Sequence, residues 1–176
     1  NQYVWEIKKP KHAVEVKFYG HVETYQDVDG CIRSRTVNAM NVKAVPYDIM
    51  ISGYDTKGVS VLRLWTAKSP SFDMESFNRG DYANALGGNT SAEVISKILY
   101  PNDNHPQGKA LRLKQQYFLT SASIHDIIRR HVTTYGSMDN FAEKNAIHIN
   151  DTHPTLAIPE LMRMLLDEFN YSWDQA

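Results

Sequence analysis

The sequence has a single cysteine, almost no net charge and no long apolar run. Because Cys31 has no second cysteine to pair with, no disulfide can form within the chain, which suits a reducing compartment and predicts a cytoplasmic protein. A formal net charge of −1 gives no electrostatic basis for binding nucleic acid or an anionic membrane. No apolar run approaches the roughly 20 residues that a membrane-spanning helix needs. We therefore expect neither nucleic acid nor a membrane among its partners.

Several common catalytic motifs are also missing. There is no G-x-x-x-x-G-K-[ST], G-x-G-x-x-G, H-E-x-x-H, C-x-x-C or G-x-S-x-G segment. This argues against a P-loop, a dinucleotide fold, a zincin or a serine hydrolase contained wholly in this chain. His148, Asp151 and His153 could suggest a metal, but a histidine in a strand points where the pleat directs it, so the three side chains need not converge. We expect no metal site.

The composition that remains is that of a globular protein. Hydrophobic residues make up 42% and charged residues 22% of the 176 residues, which is enough for one domain with its own core. The chain begins at Asn1 without a methionine and ends at Ala176 directly after a predicted helix. We therefore expect a single partial domain, an internal piece of a longer protein.

Residues 1–65 are predicted to be rich in β structure. Apolar and charged residues alternate over 14–18, which indicates a strand with one buried face, and 59–65 is a second strong strand. Asp29-Gly30 is typical of a hairpin turn. A further β pass from Cys31 is expected to end at Pro46, because proline lacks the N–H that a central strand donates. The simplest arrangement is an antiparallel meander.

Residues 66–176 are predicted to be mostly helical. Residues 109–131 contain no glycine or proline and predict one long helix, with an apolar face formed by Leu113, Tyr117, Ile124 and Ile127. A short strand near 146–149, a polar turn and a final helix would form half of a βαβ unit. The chain is predicted to be α/β, or α+β within this segment. The apolar stripe of the final helix comprises Ile158, Leu161, Met162, Leu165, Leu166 and Phe169.

The polar turn Asn150-Asp151-Thr152-His153-Pro154 is the first candidate site. In open α/β sheets, ligands bind at the loops that leave the carboxyl ends of strands. The pattern leaves two alternatives open. Asp151 or Thr152 could cap the following helix while Asn150 closes an Asx-turn, or the same groups could bind a ligand.

Three other polar or aromatic groups carry similar alternatives. Asn102-Asp103-Asn104 is typical of a turn, and Tyr100 beside it is more typical of a core residue than of a binding surface. Arg129-Arg130 lie near a helix C-terminus, where they could stabilise the helix dipole or bind an anion. Amide, carboxylate, imidazole and phenol groups near two loops suggest a sugar or another polyol, which needs several fixed donors and acceptors without strong net charge.

The segments LRLWTAK, LYPNDN, GKALRLKQQYF, DIIRRH and NDTHP followed by TLAIPELMRMLLDE resemble the glycogen and α-glucan phosphorylase family. The resemblance extends from Lys17 to the C-terminus and implies an internal fragment of the N-terminal domain of a two-domain glycosyltransferase of the GT-B type. It further implies an enzyme that uses pyridoxal 5'-phosphate and transfers the terminal glucose of glycogen, starch or maltodextrin to phosphate, giving α-D-glucose 1-phosphate.

The resemblance also implies roles for particular residues and for the parent protein. The cofactor lysine belongs to the C-terminal domain, so no catalytic residue is expected in this segment. Because half of the cleft would be absent, the fragment alone is expected to be inert, and the full-length enzyme is expected to be a homodimer. Arg129 and Arg130 match an arginine pair that holds a regulatory phosphate. The residues expected to bind substrate are Tyr100, Asn102, Asp103, Asn104, Arg112, Asp151 and His153.

One departure and one alternative function accompany the resemblance. Where many relatives have an aromatic pair after PNDN, this chain has His105-Pro106, and proline fixes φ and removes a donor. The alternative is a stand-alone, non-catalytic glucan-binding or structural module on the same scaffold. A stop codon soon after Ala176, or saccharide binding by the isolated piece, would favour that alternative.

Overall fold

The structure is a computed structural model that describes residues 5–69 and 92–176. The strands of the described part form antiparallel sheets. Strand β5 pairs with β1, β2 and β6, while β3 and β4 form a separate hairpin. With the helices that follow, these sheets give an α+β fold. The strands are β1 (Glu6–Lys8), β2 (Val14–Phe18), β3 (His21–Gln26), β4 (Ile32–Val37), β5 (Met40–Ser52) and β6 (Val59–Lys68).

Strand β5 continues through Pro46, so the prediction that a strand ends there is wrong. The Pro46 carbonyl accepts the Lys9 N–H at 2.9 Å, and the N–H and C=O of one strand residue point to the same edge. That edge carries β1, which ends at Lys8. Pro46 therefore faces a position just beyond the last residue of β1, where the sheet needs no backbone N–H donor from β5.

The β3–β4 hairpin is closed by Asp27. Its Oδ1 accepts hydrogen bonds from the backbone N–H groups of Asp29 at 3.0 Å and Cys31 at 2.8 Å. Its Oδ2 accepts a hydrogen bond from Nε of Arg33 at 2.8 Å. Gly30 has a φ of +81°, which glycine adopts without steric cost. The hairpin turn predicted at Asp29-Gly30 is confirmed.

The long helix predicted over 109–131 is also confirmed, as α1 (Pro106–Tyr135). Proline fits the first position because the first-turn N–H groups have no helical acceptor, and Gly136, with a φ of +80°, ends the helix. None of the described helices combines the length and apolar character needed to cross a bilayer. The other helical elements are residues 92–97, α2 (Phe141–Lys144), α3 (Ala157–Asp167) and the 3-10 turns Pro10–His12 and His153–Leu156.

The strand predicted near 146–149 is not formed. Residues 145–150 have no regular structure, and the Ile147 side chain is 40% exposed. A strand is defined by ladder hydrogen bonds to a neighbour, and none of the strands in the described ranges pairs with this segment. The turn that carries Asp151 therefore follows an irregular segment.

Packing divides the chain into two compact units. One is drawn from Asn1–Val16 and Val42–Gln115, as far as these are described, and the other from Lys17–Asn41 and Gln116–Ala176. This division differs from the secondary-structure boundary predicted at residue 65, because β5 and α1 each contribute to both units. The core of the second unit consists of Ile124, Ile128, Met138, Ala157, Met164 and Leu165.

The buried faces of the helices differ in part from the predicted ones. Leu113 of α1 is 56% exposed and Ile158 of α3 is 64% exposed, although both were predicted on apolar faces. In α3, Glu160 is buried instead, with 2% exposure. A charged side chain is buried when it is paired and hydrogen-bonded, so Glu160 must have partners where α3 packs.

Candidate functional site

In the first unit, the polar loop at residues 100–105 is ordered by its own side chains. Oδ1 of Asn102 accepts the Asn104 backbone N–H at 2.9 Å, which forms the predicted turn. Tyr100 has a φ of +51° and is 85% exposed, so the interpretation of Tyr100 as a core residue is wrong. An exposed phenol ring beside fixed amide groups suits a ligand with both polar and apolar surface.

The start of α1 approaches this loop closely at Gly108. A Cβ atom at Gly108 would overlap the carbonyl oxygen of Asn102 and lie 2.8 Å from its carbonyl carbon, so only glycine permits the approach. The Gly108 N–H donates to Nδ1 of His105 at 3.0 Å, which satisfies one unpaired N–H of the first helical turn. Gly108 was not among the predicted site residues, although glycine at the start of a helix beside a polar loop is a signal of close backbone approach.

Arg112 and Asp103, both predicted to bind substrate, are in contact. Nη1 of Arg112 donates to Oδ2 of Asp103, and the two side chains are 37% and 47% exposed. An ion pair with this exposure contributes little to stability. Its effect is to fix the direction of the Asp103 carboxylate, so that the other oxygen keeps a defined orientation.

In the second unit, Asp151 and His153 lie in one turn. Oδ1 of Asp151 accepts the Thr152 N–H at 2.6 Å, while Oδ2 lies 3.3 Å from Nε2 of His153. The Thr152 N–H and then the neighbouring His153 lower the pKa of Asp151 below its ordinary value. Asp151 has a φ of +69°, a conformation that aspartate adopts more readily than most residues.

This geometry excludes helix capping as the role of the turn. Neither the 3-10 turn at His153–Leu156 nor α3 has a side-chain cap hydrogen bond, and the residues at their N-cap positions are Thr152 and Leu156. Asp151 instead bonds its neighbour Thr152. Asp151 and His153 are 60% and 49% exposed at their side chains, so both remain accessible to a ligand.

Gln116 is a neighbour of His153 that was not among the predicted site residues. Nε2 of Gln116, on α1, lies 3.1 Å from Nδ1 of His153. The two residues are 37 positions apart in the sequence, and no local pattern predicts such a contact. The Gln116 side chain therefore joins α1 to the turn that carries Asp151.

A buried carboxylate network lies on α3 of the same unit. Glu160 accepts hydrogen bonds from Ser121 Oγ at 2.7 Å and Tyr117 OH at 2.9 Å, and both of its oxygens accept from Arg163 at 2.9 and 3.0 Å. Burial and then the Glu160 charge raise the pKa of Tyr117. These groups hold α1 against α3, so the network is structural support.

Arg129 and Arg130 share one carboxylate. Nη2 of Arg129 lies 2.8 Å from Oδ1 of Asp126, and Nε of Arg130 lies 2.9 Å from Oδ2. The Asp126 side chain is 7% exposed, whereas those of Arg129 and Arg130 are 34% and 56% exposed. One buried carboxylate orients two guanidinium groups, and the three charges sum to +1 at the surface of α1.

The predicted substrate residues thus fall into two groups. Tyr100, Asn102, Asp103, Asn104 and Arg112 form one within the first unit, and Asp151 and His153 form the other within the second. Across residues 5–69 and 92–176, no three His, Cys, Asp or Glu side chains have an arrangement that could hold a metal ion. Both groups present amide, carboxylate, guanidinium or imidazole side chains, which are hydrogen-bonding groups suited to hydroxyl-rich ligands.

Comparison with known proteins gives a match over the whole length of the chain. The family profile described as carbohydrate phosphorylase matches residues 1–176. The chain is 47% identical over 173 residues to a glycogen phosphorylase of Synechocystis, covering 98% of this chain and 20% of that protein. It is 45% identical over 181 residues to a glycogen phosphorylase of Bacillus subtilis, covering 100% of this chain and 21% of that protein. It is 45% identical over 182 residues to the muscle form of human glycogen phosphorylase, covering 98% of this chain and 21% of that protein. The chain therefore spans about a fifth of the length of these relatives.

Proposed function

Because the chain belongs to the carbohydrate phosphorylase family, we propose that it is a segment of an α-1,4-glucan phosphorylase. The parent enzyme would transfer the terminal glucose of glycogen, starch or maltodextrin to phosphate and release α-D-glucose 1-phosphate. The observation that carries this proposal is the family match over residues 1–176, together with 45–47% identity to three glycogen phosphorylases.

We further propose that two sets of side chains in this segment bind the glucan. In the first unit these are Tyr100, Asn102, Asp103, Asn104 and Arg112; in the second they are Asp151 and His153. The exposed Tyr100 ring and the fixed Asn102 turn support the first set. The anionic, accessible Asp151 carboxylate supports the second, because a carboxylate is a strong acceptor for sugar hydroxyls.

The parent enzyme is proposed to use pyridoxal 5'-phosphate, to be a homodimer, and to bind a regulatory phosphate at Arg129 and Arg130. None of the proposed glucan-binding residues is a lysine, so none of them could carry the cofactor as a Schiff base. When bound, the cofactor would supply its phosphate as an acid–base group. The residues of this segment would bind and orient the sugar.

The proposed activity is tested by phosphorolysis. The purified parent protein, incubated with a maltooligosaccharide and phosphate, is expected to release glucose 1-phosphate, whereas the 176-residue chain alone is expected to release none. Phosphorolysis has to bring the reacting groups within near-attack distance, and the lysine that would carry the cofactor is proposed to lie outside this segment. The absence of product from the cofactor-loaded parent would overturn the proposal.

Replacing Asp151 with alanine in the parent protein is expected to reduce kcat/KM for the maltooligosaccharide by about 10- to 100-fold, the usual effect of losing a charged hydrogen-bond acceptor. The measurement is steady-state phosphorolysis. Asp139→Ala provides the control, since this exposed aspartate bonds Ser137 within its own turn. An equal kcat/KM for Asp151→Ala and the control would show that the 151–153 turn is purely structural.

A further inference from the structure

We propose that Gln115 of α1 is a positioning residue for the polar loop at residues 100–105, which it holds where the chain enters the loop. The effect on glucan binding rests on the proposed function. The effect on the loop itself does not, because it follows from hydrogen bonds within the first unit.

The Gln115 side chain binds two backbone carbonyl groups that precede the loop. Its Nε2 donates to the carbonyl oxygen of Ile95 at 3.0 Å and to that of Ile98 at 2.6 Å. A side-chain amide nitrogen carries two N–H donors, so each carbonyl oxygen receives one. If the amide were flipped, its oxygen would face two carbonyl oxygens, none of which can donate. The two acceptors therefore fix the orientation of the Gln115 amide.

The segment that Gln115 binds depends on its tertiary contacts. The helix at residues 92–97 is short, and short helices are marginal in water without packing. Carbonyl groups at the end of a helix also lack the N–H donors that a further turn would supply. On the sheet side, Ser96 Oγ accepts the Ala67 N–H of β6 at 3.0 Å. Gln115 supplies the second restraint, from α1, at the end of the helix that leads into the loop.

Gln115 completes a set of three contacts from one face of α1. Gly108, Arg112 and Gln115 are spaced i, i+4 and i+7, which places them on the same side of a helix. The backbone at Gly108 lies against the Asn102 carbonyl group, and Arg112 binds the Asp103 carboxylate. Those two contacts act within the loop, whereas Gln115 acts on the backbone that precedes it. The same helix face therefore holds the loop at its entry and along its length.

A loop that is held at its entry is already ordered when a ligand arrives. Binding to an ordered loop avoids the free-energy cost of ordering it. Without the two hydrogen bonds from Gln115, the end of the 92–97 helix and the first loop residues could open. A glucan would then bind only the fraction of molecules in which the loop is closed against α1. The loss is therefore expected mainly in KM.

Methionine at position 115 tests the two hydrogen bonds, because it keeps the length of the side chain but cannot donate. In the parent protein carrying Gln115→Met, the backbone amides within residues 98–104 are expected to exchange with deuterium about tenfold faster, the usual effect of losing one or two neutral hydrogen bonds. Hydrogen-exchange mass spectrometry of peptides that cover the loop measures this. Native exchange rates in Gln115→Met would overturn the proposal.

Gln115→Lys separates hydrogen-bond donation from shape. A lysine ammonium group can donate to the last carbonyl groups of a helix, although lysine matches the shape of glutamine less well than methionine does. Loop exchange in Gln115→Lys is therefore expected to be closer to the native rate than in Gln115→Met. The opposite order would show that Gln115 only fills space and would contradict the proposal.

Gln107→Met is the matched control. It makes the same change on the same helix, at an exposed side chain that lies closer to the loop in sequence, and is expected to leave exchange within residues 98–104 unchanged. An equal acceleration in Gln107→Met and Gln115→Met would attribute the effect to the helix as a whole and sink the proposal.

Kinetics connect the loop to the glucan. In the parent enzyme, Gln115→Met is expected to raise KM for the maltooligosaccharide by up to about tenfold, the usual effect of one lost hydrogen bond, with a smaller change in kcat, and Gln115→Lys should bring KM back toward the native value. An unchanged KM in an active Gln115→Met enzyme would contradict the proposed effect on glucan binding. If the native parent shows no phosphorolysis, the proposed function fails, whereas the exchange rates still decide the role of Gln115.

Discussion

Replacing Glu160 with alanine is expected to destabilise the chain by about 3 kcal/mol, near the lower end of the loss seen when one partner of a buried ion pair is removed. Arg163, with a 16% exposed side chain, would lose both carboxylate oxygens, and the hydroxyls of Ser121 and Tyr117 would lose their acceptor. Asp167 and Glu168 remain within 3.5 Å of Arg163, which limits the loss. Chemical denaturation of the 176-residue chain, followed by circular dichroism, measures the effect.

Two further variants identify the cause of that loss. Glu143→Ala removes an exposed glutamate from α2 and is expected to change stability by less than about 0.5 kcal/mol. In the double variant Glu160→Met, Arg163→Met, both charges are removed together, so much of the stability lost in Glu160→Ala should return. A double variant that is less stable than Glu160→Ala would show that Arg163 stabilises the chain through Asp167 and Glu168 even without Glu160.

The contribution of Glu160 should also depend on pH in a defined direction. Burial raises the pKa of Glu160, but the hydrogen bonds and charge of Arg163, with the bonds from Ser121 and Tyr117, outweigh it and lower the pKa. The folded-state pKa is therefore below the unfolded value of about 4.3. The stabilisation from the carboxylate is present above that value and is lost as the pH falls through the folded-state pKa. The stability difference between the native chain and Glu160→Gln should shrink correspondingly below about pH 4.

Replacing Gly108 with alanine is expected to destabilise the chain by about 1–3 kcal/mol, the typical cost of adding a methyl group where no space exists. The usual effect inside a helix is the reverse, since alanine favours helix over glycine by about 1 kcal/mol. Here the added carbon would meet the backbone carbonyl of Asn102, so either the loop or the first turn of α1 must move. Chemical denaturation measures the change in stability. The rate of phosphorolysis by the parent protein measures how far a displacement of the proposed glucan-binding loop affects activity.

Gly58→Ala separates this clash from the general effect of adding a side chain. A Cβ at Gly58 would have Thr56 Oγ1 as its nearest neighbour, at 3.6 Å, which is ordinary contact. This variant is expected to keep native stability within about 0.5 kcal/mol and native activity. If Gly108→Ala behaves like Gly58→Ala, the close approach of Asn102 does not restrict position 108.

Much of the local structure and chemistry follows from the sequence alone. The long helix around 109–131, the hairpin turn at Asp29-Gly30 and the Asn102 turn all depend on residues within a few positions of each other, so local preferences determine them. The family resemblance likewise depended on short segments such as LYPNDN and NDTHP, and the match over residues 1–176 confirms it.

Tertiary structure decided which of these elements have partners. Pro46 fits inside β5 because β1 ends beside it, and residues 146–149 form no strand because none of the described strands pairs with them. Glu160 is buried although it is charged, because Tyr117 and Arg163 meet it there. Hydrophobic periodicity reflects only the local sequence around a residue, so it cannot predict a partner that comes from another part of the chain.

The same reason separates what the sequence determined about the polar turn from what the structure added. The sequence determined that Asp151 and His153 are close together and chemically suited to bind hydroxyl groups. The structure placed Gln116, 37 residues away, against the imidazole. The hydrogen-bond partners of a side chain come from distant parts of the sequence, and only the folded chain brings these together.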